Sequence, residues 1–338
     1  MIFVTGASGN VGREVVAQLT RRQAPFRVGV RQAERTVARG IATKAFDFLD
    51  AQTFHGAVVD CSAVFLMRPP AIANTKATLN SFLDVTRRCG VTQVVFLSVS
   101  GADANPFIPH HAVEQHLRAG PSGWTVLRPG FFAQNLGDAY RDDILKDDRI
   151  YLPAGAALVA FIDARDIAEV AANALTDPVT HAGQIYTLTG MEALSFAEIA
   201  SMLSDELGRT IRYQPASILG YLAHLSRRGL PATQVMIQTL LHLGLRFGQA
   251  QSVTGSLAGL LGRRPFTMRE VCARSEESLA LNVMPVSVAS PQNIKDRRPD
   301  RECSPTKTRL PFTVHDVALR LGAKPRDSRS SEPNAAGR

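Results

Sequence analysis

Residues 1–12 read Met1-Ile-Phe-Val-Thr-Gly6-Ala-Ser-Gly9-Asn-Val-Gly12. A short apolar run, Ile2 to Val4, enters a loop with glycine at every third position. An amphipathic segment follows, with Val11, Val15, Val16 and Leu19 on one face. The order is strand, glycine turn, helix. A nucleotide diphosphate needs that order: backbone close to the ligand, no Cβ in the way, and a helix N-terminus aimed at negative charge. Gly6 makes the tight turn in this reading, Gly9 lets the pyrophosphate approach, and Gly12 lets the helix pack closely. Ser8, Asn10 and Val11 complete the candidate phosphate loop. The competing reading is a plain strand-to-helix turn in another doubly wound fold.

The same alternation continues outward. Apolar runs at 26–30, 43–48, 63–67, 94–99 and 124–127 read as strands, and 33–39, 74–89 and 111–118 as helices. Strands alternating with helices predict βαβ units with right-handed crossovers, hence an α/β fold with a Rossmann-type, doubly wound parallel sheet. After Pro129 the rhythm changes. Segments 135–145 and 167–175 read as helices, and 157–162 and 184–188 as short strands. Ser195-Phe-Ala-Glu198 is a capping box before an apolar face of Ile199, Met202, Leu203 and Leu207. Helices at 219–225, 232–245, 253–261 and 267–280 complete a smaller, mostly helical C-terminal lobe. The expected organisation is a dinucleotide-binding core at 1–134 and a substrate lobe at 135–280 interwoven with it. A basic tail follows at 281–338. That tail holds seven of the 19 prolines, so disorder is expected there, with one short amphipathic helix available at 311–321.

Composition narrows the function classes. The 338-residue chain carries a net charge of +8, but 281–338 holds 11 Lys/Arg against 6 Asp/Glu, so most of the excess lies in the tail. The body has no basic helix with interleaved aromatics, and no nucleic-acid partner is expected. No apolar run approaches the roughly 18–20 residues of a spanning helix, so no membrane partner is expected either. With the first strand beginning at Met1, no leader peptide is expected. The four cysteines, Cys61, Cys89, Cys272 and Cys303, show no metal spacing, which predicts reduced thiols, a cytoplasmic location and no metal site.

The order TGASGNVG at 5–12, FDF at 46–48, VFLSVSGAD at 95–103, WTVLRPGFFAQN at 124–135 and FIDARDIAEVAA at 161–172 resembles the NmrA-like group of atypical short-chain dehydrogenase/reductases. Its look is that of bacterial NAD(P)H-dependent quinone reductases. Tyr186-Thr-Leu-Thr-Gly190 and the Ser195 segment extend the likeness to about residue 280. The resemblance implies NADP as cofactor and a small-molecule substrate, in a monomer or homodimer. Residue chemistry agrees on the cofactor. NAD enzymes of this fold usually place an acidic residue after the second strand, whereas this chain has Val30-Arg31-Gln32, with Arg35 nearby. Arg31 suits a 2′-phosphate, so NADPH is expected over NADH, unless Arg31 is a solvated surface cation. By the likeness, Asp47 and Phe48 meet the adenine. Leu66, Met67 and Arg68 line the ribose and nicotinamide side. Ser98 lies near the nicotinamide, and Pro129, Gly130 and Phe131 back it.

The catalytic position departs from the usual Tyr-x-x-x-Lys pair. None of the five tyrosines has Lys four residues later, and the expected position reads Pro109-His110-His111-Ala-Val-Glu114. Reducing an unactivated ketone needs a proton donor at the developing alkoxide. A quinone asks less, because its reduced anion is delocalised and solvent protonates it. The expected activity is therefore hydride transfer from NADPH to a quinone or similar planar electrophile. His110 or His111, with near-neutral pKa, is either a donor to the substrate carbonyl or an ordinary helix-start residue. Asn135, Phe131, Phe132 and Phe161 are candidate pocket walls, or else core residues. The alternative function is a dinucleotide-binding redox sensor of the NmrA type, without turnover.

Overall fold

Two hydrophobic cores cover the two faces of a parallel sheet. The computed structural model describes residues 1–31 and 40–280, leaving aside the side chains of 275–280. Gln32, Arg35, the helix expected at 33–39, Cys303 and every expectation for 281–338 lie outside the described residues. The first half runs β1 (Ile2–Val4), α1 (Asn10–Arg21), β2 (Phe26–Val30), β3 (Thr43–Ala45), α2 (Gln52–Val58), β4 (Ala63–Met67), α3 (Ser81–Arg88), β5 (Gln93–Leu97), α4 (Pro109–Arg118), β6 (Gly123–Pro129) and β7 (Phe131–Phe132). It continues through α5 (Arg141–Asp147), β8 (Arg149–Leu152), β9 (Leu158–Val159), β10 (Phe161–Ile162), α6 (Ala164–Thr176), α7 (Pro178–His181) and β11 (Gln184–Leu188). Last come β12 (Leu194–Ser195), α8 (Phe196–Leu207), β13 (Arg212–Pro215), α9 (Ile218–Arg227), α10 (Ala232–Leu245), α11 (Ser256–Leu261) and α12 (Met268–Ala280).

The seven-stranded sheet has the order β11-β6-β5-β4-β1-β2-β3, and every neighbouring pair is parallel. This is the expected doubly wound sheet with a mostly helical C-terminal part. Side-chain alternation decides which helices cover which face. Ile2, Val4, Phe65, Val95 and Leu97 point to the layer of α1, α6 and α11. Phe3, Val64, Leu66, Val94 and Phe96 point to that of α2, α3 and α4. The second layer carries an aromatic cluster. Phe46 lies 5.2 Å from Phe3, 4.7 Å from Phe48 and 4.9 Å from Phe82, ring centre to ring centre, in edge-on contacts. A third core sits in the C-terminal part around Phe196, Tyr140, Leu203 and Tyr221.

The structure corrects several boundaries. The strand expected over 43–48 stops at Ala45. Asp47 turns the chain instead, its carboxylate accepting from Leu49 N at 2.9 Å, and Asp50 does the same for Gln52 N at 3.1 Å. That second turn starts α2, a helix too short to show a helical period. The helix expected over 135–145 begins at Arg141, because 133–136 form a tighter 3-10 turn. The one over 74–89 starts with a π-helical turn at Lys76–Asn80 and becomes α-helical at Ser81, and the one over 253–261 begins at Ser256. The strand expected over 157–162 breaks at Ala160, whose N–H goes to Ala250 O. β9 then pairs antiparallel with β12, and β10 pairs parallel with β7. The capping box is present: Ser195 Oγ accepts from Glu198 N at 3.2 Å, and Glu198 Oε2 accepts from Ser195 N at 2.7 Å.

Removing that cap gives a direct check. Ser195→Ala should lower stability by about 1 kcal/mol in denaturant unfolding, with Ser195→Gly costing less. No change for either variant would show that α8 is held by packing alone.

Candidate functional site

Parallel strands bring the expected residues to one edge of the sheet. The order reverses between β1 and β4, and such a reversal opens a crevice beyond the carboxyl ends of the strands. Buried Thr5 stitches the two strands there. Its hydroxyl donates to Phe65 O at 3.0 Å and accepts from Met67 N at 2.9 Å. The sequence reading did not single out Thr5, although a hydroxyl directly before the first glycine was visible.

The glycine loop is tight in backbone terms. Gly6 has φ +65, a conformation that disfavours any side chain. A Cβ on Gly12 would lie 2.0 Å from Gly6 O, so the first turn of α1 rests directly on the loop. A Cβ on Gly9 would lie 3.3 Å from the Met67 methyl and 3.4 Å from Gly6 O. Gly9 is the N-cap of α1 and no side chain caps the helix. The first-turn amides therefore remain available to an anion. Val11 supplies backbone only, since its side chain is core, and Ser8 is exposed. Asn10 reaches across to Asp138, Nδ2 donating to Oδ2 at 2.5 Å, and accepts from Arg13 at 2.9 Å. This pair borders a polar cavity of about 190 Å³ also lined by Gln134, Asp163 and Arg165.

The other expected cofactor residues divide by exposure. Arg31 is exposed directly after β2, and Asp47 is half-buried in its turn. Phe48 and Leu66 are buried, Phe48 in the aromatic cluster and Leu66 in the same layer, so near a ligand Leu66 offers backbone. Met67 lies across the glycine loop. Pro129 is buried, and Gly130 N donates to Leu188 O at 2.8 Å. Phe131 is half-buried and packs edge-on against Phe161 at 5.5 Å and Phe196 at 6.2 Å. Phe161 belongs to the core, while Phe132 and Asn135 are half-buried.

Beside this edge lies a buried charged chain. Ser98 Oγ donates to Glu114 Oε1 at 2.5 Å, and Arg128 donates to both Glu114 oxygens, at 3.1 and 2.5 Å. Arg128 also pairs with Asp103 at 3.0 Å. Ser98, Glu114 and Arg128 are all buried, and the hydrogen bond to Glu114 pushes the Arg128 pKa up. The network binds the ends of β5 and β6 to α4. The residue pattern alone assigned Glu114 no role. Its partner is 14 positions away, and nothing in the spacing announced it.

His110 lies one turn before Glu114 on α4 and departs from expectation. Its pKa is not near neutral. Burial, together with the Arg68 charge, lowers it to about 3. Arg68 Nε donates to His110 Nε2 at 3.3 Å, which places the ring proton of the neutral imidazole on Nδ1. That Nδ1 is buried and has no partner among the described residues. His110 is thus a neutral N–H donor, not an imidazolium acid. His111 instead bonds Ala102 O through Nδ1, at 2.7 Å, as a helix-start residue. Asp163, Arg165 and Asp166, at the start of α6, belong to two ion pairs. Asp163 caps α6 and pairs with Arg165, while Asp166 takes Arg263 at 2.9 Å and Phe266 N at 2.9 Å.

Comparison with known proteins places these features. Residues 1–255 match the NmrA-like family. An NAD(P)H azoreductase of Xenophilus azovorans is 36% identical over 240 residues, 68% of this chain and 82% of the relative. The fold is shared with the NADPH-dependent quinone oxidoreductase of Escherichia coli complexed with NADPH, at TM-score 0.73 and 23% identity, covering 81% of this chain and 99% of that one. It is shared too with the Citrobacter triphenylmethane reductase complexed with NADP(H), at TM-score 0.72 and 21% identity, covering 81% and 99%.

Two stability experiments follow from the geometry. Glu114→Ala leaves the buried Arg128 guanidinium with only the exposed Asp103 and should cost about 3 kcal/mol, whereas Glu114→Ala with Arg128→Met should recover much of it. Additive losses would mean that the two side chains act independently. The histidine predicts a pH effect. His110 binds no proton in the native state until about pH 3, while an unfolded histidine binds one below 6.5. Stability should therefore fall as pH drops from 6.5 towards 3, with this residue contributing up to about 1.4 kcal/mol per pH unit. His110→Gln should flatten that slope in denaturant titrations at several pH values, and an unchanged slope would contradict it.

Proposed function

The chain belongs to the NmrA-like family, and from that premise we propose an NADPH-dependent reductase that delivers hydride to a quinone or a similar planar, conjugated electrophile. One observation carries the reading. Where short-chain dehydrogenases keep an acidic Tyr and a Lys, α4 carries a neutral His110 and a Glu114 already committed to Arg128 and Ser98.

The residues present fit a dinucleotide. Gly6 and Gly9 give a loop without side chains, and the uncapped start of α1 at Asn10, Val11 and Gly12 offers amides to a pyrophosphate. Arg31 would take a 2′-phosphate, and Asp47 and Phe48 the adenine end. Met67, Ser98, Gly130 and Phe131 would border the nicotinamide, which when bound supplies the hydride. Ser98 gives its proton to Glu114, so its lone pairs are what it has left for an amide or hydroxyl donor. Phe131, Phe132 and Asn135 would form the wall against which a flat ring stacks. His110 can hydrogen-bond a developing oxyanion through Nδ1 once its ring is reached, but holds no labile proton at neutral pH.

That chemistry sorts substrates. A ketone reduced without an acid leaves a strongly basic alkoxide, and general acid catalysis is worth roughly 100- to 10,000-fold. A quinone or an azo bond spreads the charge over a conjugated system, so the missing acid matters little. Positioning and exclusion of water then suffice. The azoreductase relative supports a planar, conjugated substrate class. The same lack of an acid also suits a sensor that binds the dinucleotide without turnover, and the assays below separate the two.

Two measurements test the reading. Equilibrium binding should favour NADPH over NADH by about tenfold, and Arg31→Ala should remove most of that preference, less so at high salt. Equal affinities in the parent would sink the assignment of Arg31. In steady-state assays NADPH oxidation should proceed with quinones and azo dyes and not with simple ketones. His110→Ala should slow the quinone reaction by about tenfold or less. A thousandfold loss would make His110 an essential proton donor, and tight NADPH binding without any turnover would favour the sensor.

A further inference from the structure

α9 and α10 pack on each other as a helical hairpin joined through residues 228–231. Their inner faces are legible from burial. Tyr221 and Leu225 on α9, and Val235, Thr239, His242 and Leu245 on α10, are all buried. His242 fixes the hairpin to the lobe by accepting the Tyr140 hydroxyl at Nε2, and within the hairpin Tyr221 bonds its other ring nitrogen at 3.4 Å.

The outer face does not turn polar as that of a surface helix should. Met236, Ile237, Leu240 and Leu241 are between 43% and 60% exposed, and follow one another at the spacing of a continuous stripe. Phe247 just past the end of α10 is 79% exposed, and Leu219 at the start of α9 is 78% exposed. Single exposed apolar residues are ordinary, but a contiguous stripe needs a partner.

Charge identifies that partner. Neither α9 nor α10 carries an Asp or Glu; of the arginines between Glu206 and Glu270, Arg209, Arg228, Arg263, Arg264 and Arg269 pair with acids elsewhere, while Arg212, Arg227 and Arg246 form no ion pair among the described residues. Arg227, closing α9, and Arg246, directly after α10, are exposed and form no ion pair among the described residues. A second copy of the chain is a poor occupant. In a two-fold contact of hairpin on hairpin, Arg227 and Arg246 would find no acid, because neither helix carries one. A protein partner fits less well too, since the stripe holds neither the Tyr nor the Trp that anchor such interfaces. Aliphatic side chains and one Phe, with Arg227 and Arg246 unpaired and the adjoining Asp142 and Asp143 taken by Arg228 and His224, match the boundary between acyl chains and anionic headgroups.

We propose that the α9–α10 hairpin docks on the surface of an anionic lipid bilayer. The stripe enters the headgroup–acyl boundary and Arg227 and Arg246 meet lipid phosphates. The hairpin lies on the surface, and among the described residues no helix is long and apolar enough to cross it. The expectation of no membrane partner tested only for spanning length, and an exposed half-helix leaves no such signature.

Flotation of the full chain with vesicles of phosphatidylcholine, with and without phosphatidylglycerol, tests this. Binding should need phosphatidylglycerol, weaken with salt, and fall at least about tenfold in Leu241→Glu and in Phe247→Glu. Arg227→Glu with Arg246→Glu should also release the protein. Thermal unfolding of these exposed-site variants should match the parent, and so should their NADPH affinity. Absence of flotation overturns the proposal. So does flotation that all the variants retain, which would assign binding to another part of the chain. A parent that light scattering shows as a dimer, and that Leu241→Glu turns into a monomer, would give the face to a second copy and overturn it as well.

Discussion

The contact on which the rest depends is between two stretches of backbone. The first turn of α1 rests on the carbonyl of Gly6, and any side chain at Gly12 would stand 2.0 Å from that oxygen. This approach sets the height of α1 over the sheet and aims its uncapped N-terminus at the strand ends. α6 packs on α1 with Ala168, Ala171, Ala172 and Ala174 buried, small residues that suit a helix held this close. Moving α1 outward by one methyl group would loosen the whole layer.

Much of this frame was legible because its signals are local. Strands β2, β4 and β11 fall at the expected residues, since β-branched and aromatic runs bounded by turns leave little choice. The glycine loop was legible for the same reason. What escaped is set by partners distant in sequence. Strands β8 and β13 were missed because each is only four residues long and pairs with the other across some sixty residues. The low pKa of His110 was invisible too, because it depends on burial and on Arg68 forty-two positions away.

The Ser98–Glu114–Arg128 chain shows how one surrounding serves a different chemistry. Glu114 on α4 is a buried carboxylate, and Arg128 from the next strand, β6, balances its charge. Breaking such a buried pair is costly, while its net contribution to stability is small. Its effect is geometric: it holds β5, β6 and α4 in register where their ends meet. The site gains rigidity there and gives up an acidic proton.

The last strand of the sheet, β11, comes from the C-terminal part of the chain and completes the hydrogen bonding of β6. During synthesis, then, β6 is made long before the strand that covers it. Its open edge must wait for residues 184–188, and the waiting chain carries the adhesive side of an unfinished sheet. α6, which buries one face of that sheet, is also late. The nucleotide half is accordingly not an autonomous folding unit: a chain cut near residue 134 would leave the ribosome with a bare edge and an uncovered face, a species expected to aggregate.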